Sequence, residues 1–188
     1  MNSDQVFLIA LGGNLPSKAG KPEQTLQLAL KHLLNSGAEG LSVSRFYSTP
    51  CYPAGAGPDY INAAAKLSFA GNAHDLLAIL HTVENDFGRE RSQRWGRRTL
   101  DLDLIAAGDQ VLPDRAEFER WRTLASPEQS KSAPEQLIVP HPRLQDRGFV
   151  LVPLNDVAPH WCHPVLKKTI SQMLEDIPKD QLCDIVAL

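Results

Sequence analysis

The chain has little of several things, and each shortage excludes a class of protein. Three cysteines in 188 residues, Cys51, Cys162 and Cys183, are an odd number at no metal-ligand spacing. That excludes a disulfide framework or a zinc cluster as the organising device and fits a reducing compartment, so a cytoplasmic location is expected. No stretch approaches the ~18 consecutive apolar residues of a membrane span. The apolar run that follows MNSDQ is short and has no basic region before it, so it reads as a first strand and not a signal peptide. Charge of one sign is also missing. With 19 Lys+Arg against 22 Asp+Glu, the net charge of −3 argues against binding DNA or a membrane surface by bulk positive charge. Any anion site must be local. No internal repeat is present, and 188 residues make a single domain, 1–188, that buries roughly 70% of its unfolded surface without a covalent or metal staple.

What is present is a regular alternation of elements. VFLIAL at 6–11, closed by Gly12-Gly13-Asn14, predicts a buried strand and turn. From Pro22 to Ser36, Leu26, Ala29, Leu30, Leu33 and Leu34 recur on one helix face, with Pro22 in the first turn and Gly37 at the end. LSVSRFYS at 41–48 predicts a second strand, and the Pro/Gly-rich 49–59 a loop. In 60–69, Ile61, Ala63, Ala65, Leu67 and Phe69 alternate with Asn62, Ala64, Lys66 and Ser68, which places Asn62 on the face away from the core. Residues 73–87 return to helical spacing and end at Gly88, and TLDLDLIAA at 99–107 predicts a fourth strand. Strand, helix, strand, strand, helix, strand is the ferredoxin-like βαββαβ plan, an α+β fold with an antiparallel sheet and helices packed on it. Residues 112–136 read as an exposed insertion with a short helix near 115–124. The tail predicts a strand-like run at 149–152 and a last amphipathic helix near 167–177.

The chemistry concentrates in ENDFGRERSQRWGRRTLDLD, residues 84–103. Arg89, Arg91, Arg94, Arg97 and Arg98 fall within ten residues of a polar, glycine-containing stretch. A guanidinium offers a planar fork of donors suited to phosphate oxygens, although an arginine cluster alone is more often a solvated surface. Asp101-Leu102-Asp103 tips the balance. On a strand both carboxylates leave one face, their Cα atoms roughly 7 Å apart, while Leu100, Leu102 and Leu104 enter the core. Two like charges on one open face repel unless a cation joins them, and magnesium takes few protein ligands and leaves sites for phosphate oxygens. Two other features are decoys. Gly12 to Lys21 misses the phosphate-loop spacing, with Pro22 in place of the hydroxyl residue, and His160-Trp161-Cys162-His163 lacks a second ligand pair.

These residues carry a recognisable pattern. ALGGNL at 10–15, FYSTP at 46–50, PDYINAA at 58–64, RWGRRTLDLDL at 94–104 and VPHPRLQDRGFVLVPL at 139–154 resemble the 6-hydroxymethyl-7,8-dihydropterin pyrophosphokinases of folate biosynthesis. The resemblance implies that the terminal pyrophosphate of ATP moves to the hydroxymethyl group of a reduced pterin, releasing AMP. It implies extra strands and a helix at the C-terminal side of the sheet, giving an α/β/α sandwich. It assigns Asp101 and Asp103 to two magnesium ions that bridge the ATP phosphates, and Arg91 and Arg98 to the phosphate charge. Arg94 and Trp95 belong to a closing loop that touches both substrates. His81, Glu84, Leu104, His141 and Arg147 take nucleotide positions. Tyr60 and Phe149 sandwich the pterin, Asn62 bonds its amide edge, and Thr49, Pro50 and Tyr52 line the pocket. The chain departs from the family pattern at Arg97, where a proline is usual, at Gln136 and Ile138, where arginine and threonine are common, and in the length of 112–136.

Two other classes share the predicted fold. An RNA-recognition sheet needs a basic, aromatic central strand, whereas the open face of the fourth strand here carries Asp101 and Asp103. A small-molecule regulatory module would not need the arginine-rich stretch. The expected partners are therefore ATP and a pterin, with no nucleic acid or membrane, acting on a monomer.

Overall fold

The computed structural model describes residues 5–51, 57–88, 99–125 and 133–188. Its first strand, β1 (Gln5–Gly13), is buried on both faces: Phe7, Ile9 and Leu11 enter one core, Leu8 and Ala10 another. That is why VFLIAL reads as a continuous apolar run rather than an alternating one. Helix α1 (Pro22–Asn35) buries Leu26, Ala29, Leu30 and Leu33. Leu34, on the same predicted face, is 46% exposed, because it stands at the rim of the arc that those positions span.

The single strand expected over 41–48 is two, β2 (Glu39–Val43) and β3 (Tyr47–Thr49). The break lies at Ser44, whose N–H reaches the Ala64 carbonyl at 2.9 Å while its hydroxyl accepts the Ala64 N–H at 2.9 Å. A side chain replaces a ladder carbonyl, and the chain leaves register there. In β4 (Tyr60–Phe69), Ile61, Ala63, Ala65 and Leu67 enter the first core, as the alternation predicts. Helix α2 (Ala73–Asp86) starts at Asn72, whose side chain accepts from His74 and Asp75 N–H while Asp75 accepts from Asn72 N–H. This reciprocal cap satisfies donors that a helix start otherwise leaves bare.

Strand β5 (Asp101–Ala107) completes the core pattern. The sheet order is β5-β1-β4-β3-β6, with β2 also on β4, and every pairing is antiparallel. This is the βαββαβ arrangement expected, extended by β6 (Val186–Ala187) on β3. Helices α1 and α2 cover one face.

The other face is covered by α4 (Gly148–Val157) and α5 (Ile170–Glu175), with Val150, Leu151, Leu154, Ile170 and Met173 packed on Leu8, Ala10, Ala64 and Ile105. The strand-like run at 149–152 is therefore helical. A short apolar run is ambiguous between a buried strand and a buried helix, and here a helix is what buries apolar residues against a sheet already complete at that point. Helix α5 is shorter than the predicted 167–177 because Thr169 caps it, accepting from Gln172 N–H at 3.2 Å. Helix α3 (Arg115–Thr123) lies in the insertion, capped by Asp114. The insertion is anchored rather than wholly exposed: Phe118 and Trp121 are buried in a small core with Ile138 and Val165. Among the described residues, no helix is long and apolar enough to cross a membrane.

Candidate active site

The site begins with strand register. Gly12 of β1 lies opposite Asn62 of β4 on one side and Asp101 of β5 on the other, and Ala10 lies opposite Ala64 and Asp103. Directly opposed residues share a face. Asn62, Gly12 and Asp101 therefore form one row, on the face that carries α4. Because β1 contributes only Gly12 and Ala10 there, the floor between the amide and the carboxylates carries nothing larger than a methyl group. Phe149, in the first turn of α4, is 42% exposed and stands over this floor. Asp101, Asp103, Asn62, Phe149, Gly12 and Ala10 line one open cleft. A Cβ on Gly12 would lie 3.0 Å from Asn62 Oδ1.

Each wall of the cleft is held from outside it. Asn62 Nδ2 donates to Thr49 Oγ1 at 2.7 Å, which leaves its carbonyl oxygen on the side of Gly12. Asn14 Nδ2 donates to the Pro58 carbonyl at 3.1 Å and so ties the end of β1 to the segment that enters β4. On the free edge of β5, the Leu102 N–H donates to Glu84 Oε1 at 2.7 Å. Leu102 lies between the two aspartates, so a carboxylate from α2 fixes the backbone that presents them. The His141 N–H donates to the Ile105 carbonyl at 2.8 Å, which brings that histidine to the same edge. Its Nδ1 accepts the Arg143 N–H at 3.1 Å. Burial, with the Arg147 and Arg143 guanidiniums beside it, pushes the imidazole down to about 3, so it is neutral at ordinary pH. Arg147 Nη1 lies 3.8 Å from Asp103 Oδ2, a loose pair of partly exposed groups worth little to stability.

The predicted site residues divide by location. Asp101, Asp103, Asn62 and Phe149 meet in the cleft. Thr49 is buried behind Asn62, Tyr60 is partly buried opposite Thr49, and Pro50 is exposed. Glu84 and His141 stand at the β5 edge, and His81 is one helical turn before Glu84. Glu84 has no exposed surface and Leu104 only 5%, with the Leu104 side chain in the core under α1 and α2. Any nucleotide contact of Leu104 falls to its backbone. Tyr52, Arg91, Arg94, Trp95, Arg97 and Arg98 lie outside the described residues. Gly12, expected in the turn after residues 6–11, lies inside β1, which runs to Gly13, and a glycine inside a strand is a sign of close approach by a ligand or a second backbone.

A larger cavity, of about 520 Å³, lies elsewhere, beside α3 and bordered by Asp114, Glu117, Glu135, Arg120 and Trp121. It is dominated by acidic groups, and its Arg120 is already paired with Glu117. Its amide, Gln136, and its ring, Trp121, belong to the insertion and its flank, whereas the smaller cleft is the one that gathers Asn62, Phe149, Asp101 and Asp103 on the sheet.

An antiparallel sheet whose edge strand offers two carboxylates to a cleft floored by glycine, beside an amide and an aromatic ring, defines an open-sheet α+β protein with a polar small-molecule cleft. Residues 8–159 match the family model of 7,8-dihydro-6-hydroxymethylpterin-pyrophosphokinase (HPPK), and the chain belongs to that family. A Synechocystis 2-amino-4-hydroxy-6-hydroxymethyldihydropteridine pyrophosphokinase is 37% identical over 171 residues, covering 90% of this chain and 75% of that protein. The Pseudomonas aeruginosa protein of the same name is 37% identical, covering 82% of each. In fold, the chain is similar to a crystal structure of a Plasmodium falciparum HPPK-DHPS triple mutant, with TM-score 0.63 and 16% identity, over 93% of this chain and 44% of that one.

Proposed function

We propose that this cleft transfers the terminal pyrophosphate of ATP to the hydroxymethyl group of 6-hydroxymethyl-7,8-dihydropterin, giving AMP and the pterin diphosphate for folate biosynthesis. One observation carries the reading: Asn62 and Phe149, the expected pterin contacts, and Asp101 and Asp103, the expected metal ligands, open into the same cleft although they come from three separate elements.

The pterin lies with its ring against Phe149 and Tyr60, where a flat heteroaromatic gains from stacking, and its amide edge meets Asn62. Thr49 holds Asn62 in place; Pro50 and Tyr52 are assigned to the same substrate by the family resemblance. The ATP phosphates lie over Asp101 and Asp103, with the nucleoside toward the β5 edge; support comes from Glu84 and His141, which bond the backbone of that strand, and from Arg147 beside Asp103, and His81 and the Leu104 backbone are assigned to the same substrate. The donor set fits magnesium: two carboxylates on one strand face, which is how that ion is usually held when phosphates supply its other ligands. Two ions held by Asp101 and Asp103 would supply neutralisation of the charge that develops on the phosphate oxygens. Arg91 and Arg98 add positive charge, and Arg94 and Trp95 close the site against water. The pterin hydroxyl oxygen forms a bond to the β-phosphorus as the bond from that phosphorus to the bridging α-phosphate oxygen breaks; AMP leaves with that oxygen, and the hydroxyl proton passes to water. Such transfer needs mainly positioning and charge stabilisation. We take the acting species to be a monomer, since Asn62, Phe149, Asp101 and Asp103 of a single chain already meet in the cleft. Three free thiols support a reducing, cytoplasmic setting.

AMP release from MgATP, followed with and without the pterin, tests the reading. Release only with the pterin is expected; equal release in both, or none in either, overturns it. A second prediction follows from the floor of the cleft. Gly12→Ala places a methyl group 3.0 Å from Asn62 Oδ1, tighter than ordinary contact, and should raise the pterin KM about tenfold while the ATP KM changes little. Steady-state kinetics with each substrate varied in turn checks it, and an unchanged pterin KM removes Gly12 from the pocket.

A further inference from the structure

Phe149 stands on α4, and the position of α4 is not fixed by apolar contacts alone. Val150, Leu151, Leu154 and Val157 bury the helix on the sheet, but apolar burial has no direction and permits sliding by a fraction of a turn. Directional contacts lie at the other end of the helix: Asn155 Oδ1 accepts the Ser171 hydroxyl of α5 at 2.7 Å, and the bonds to the strand side come from Asp156. Asp156 Oδ2 accepts the Tyr47 hydroxyl at 2.8 Å, the Arg45 backbone N–H at 3.1 Å and Arg45 Nε at 3.2 Å, and Asp156 Oδ1 accepts Arg45 Nη2 at 2.9 Å. Four hydrogen bonds converge on one carboxylate, two of them a guanidinium fork, the stronger class of such bonds.

The two ends of this tie belong to the elements that carry the cleft residues Phe149 and Asn62 or pair with them. Asp156 follows Phe149 by seven residues, two helical turns or about 10 Å along the axis, so both project from nearly the same side of α4. Tyr47 is 3% exposed and lies directly opposite Asn62 across the β3–β4 ladder. Two residues on, Thr49 accepts the Asn62 amide. Burial would raise the Asp156 carboxyl, but the bonds from Arg45 and Tyr47 outweigh it and hold the group below the ordinary carboxylate range. Burial and the same carboxylate push the Tyr47 phenol up to about 12, so it remains a donor.

We infer that Asp156 is a positioning residue for the pterin: with Tyr47 and Arg45 it locks α4 to the strand beside Asn62 and so sets the gap between the Phe149 ring and the amide that reads the substrate. The inference rests on the proposed reaction. It predicts a selective defect, because nothing in the tie touches the β5 edge. In the full-length protein, Asp156→Ala is expected to raise the pterin KM about tenfold, with kcat and the ATP KM within about twofold of wild type. Tyr47→Phe, which deletes one bond and keeps the buried ring, should raise it about threefold. Asp156→Asn, whose single oxygen can still accept from Tyr47 and the Arg45 backbone but whose NH2 replaces the acceptor of Arg45 Nη2, should fall between wild type and Asp156→Ala. If Asp156→Ala fails to fold, Tyr47→Phe decides. An unchanged pterin KM in a folded variant, or an equal weakening of ATP and pterin, overturns the inference and leaves only a structural tie. Wild-type protein that forms no pterin-dependent AMP overturns the proposed reaction as well, so the two failures are distinguishable.

Discussion

Asp101→Ala and Asp103→Ala are each expected to lower pterin-dependent AMP formation by roughly 10³-fold or more, the scale seen when a group that stabilises transition-state charge is removed. The strand that presents them is locked independently, with Leu100, Leu102 and Leu104 in the core and the Leu102 N–H on Glu84. Both aspartates are partly exposed. Neither substitution opens a cavity, so thermal unfolding should change little, and the pterin wall formed by Asn62 and Phe149 should survive. AMP release in the coupled reaction, beside a melting curve of each variant, checks both halves. Turnover above about a tenth of wild type in either variant would remove the metal assignment.

Glu84→Ala should have the second largest effect, on stability and rate together. Glu84 occupies a core-facing position of α2, in line with Leu76, Leu80 and Val83, and is completely buried. Truncation leaves the buried Leu102 N–H without its acceptor, at a cost of about 1–3 kcal/mol. It also frees the backbone between the two aspartates, and misplacement of a reacting group by about an ångström costs on the order of 10²-fold. Glu84→Gln keeps a carbonyl oxygen at the same reach and should retain most of the stability and rate. Chemical denaturation and single-turnover kinetics on both variants provide the check. If Gln behaves as Ala does, the negative charge itself matters and Glu84 acts on the nucleotide rather than through the strand.

The core of the site was legible from spacing alone. Asp101 and Asp103, two residues apart on a strand whose intervening leucines are apolar, had to share the face away from those leucines, and they do. Asn62 was placed on the correct face by the same alternation. The failures have physical causes. FVLV carries no periodic signal, so the sequence alone predicts a strand where the helix that bears Phe149 stands. One strand was predicted where Ser44 divides two, because a hydroxyl can accept a ladder hydrogen bond without altering the apolar pattern. Glu84 was known only as a family position. Its place in the buried stripe of α2 was already visible as the one charge on an apolar face, and such a charge needs a partner.

By itself the sequence determined the βαββαβ order, the strand faces and the carboxylate pair, since each depends on periodicities of two or 3.6 that the backbone imposes locally. Only the tertiary structure decided which faces meet. Register across β1 put Gly12 between Asn62 and Asp101. Packing of α4 brought Phe149 over them, and the tie from Asp156 to Tyr47 and Arg45 holds that helix in place. Those relations join residues about fifty to over a hundred positions apart, and no local propensity encodes them; they follow from burying two faces of one sheet at once.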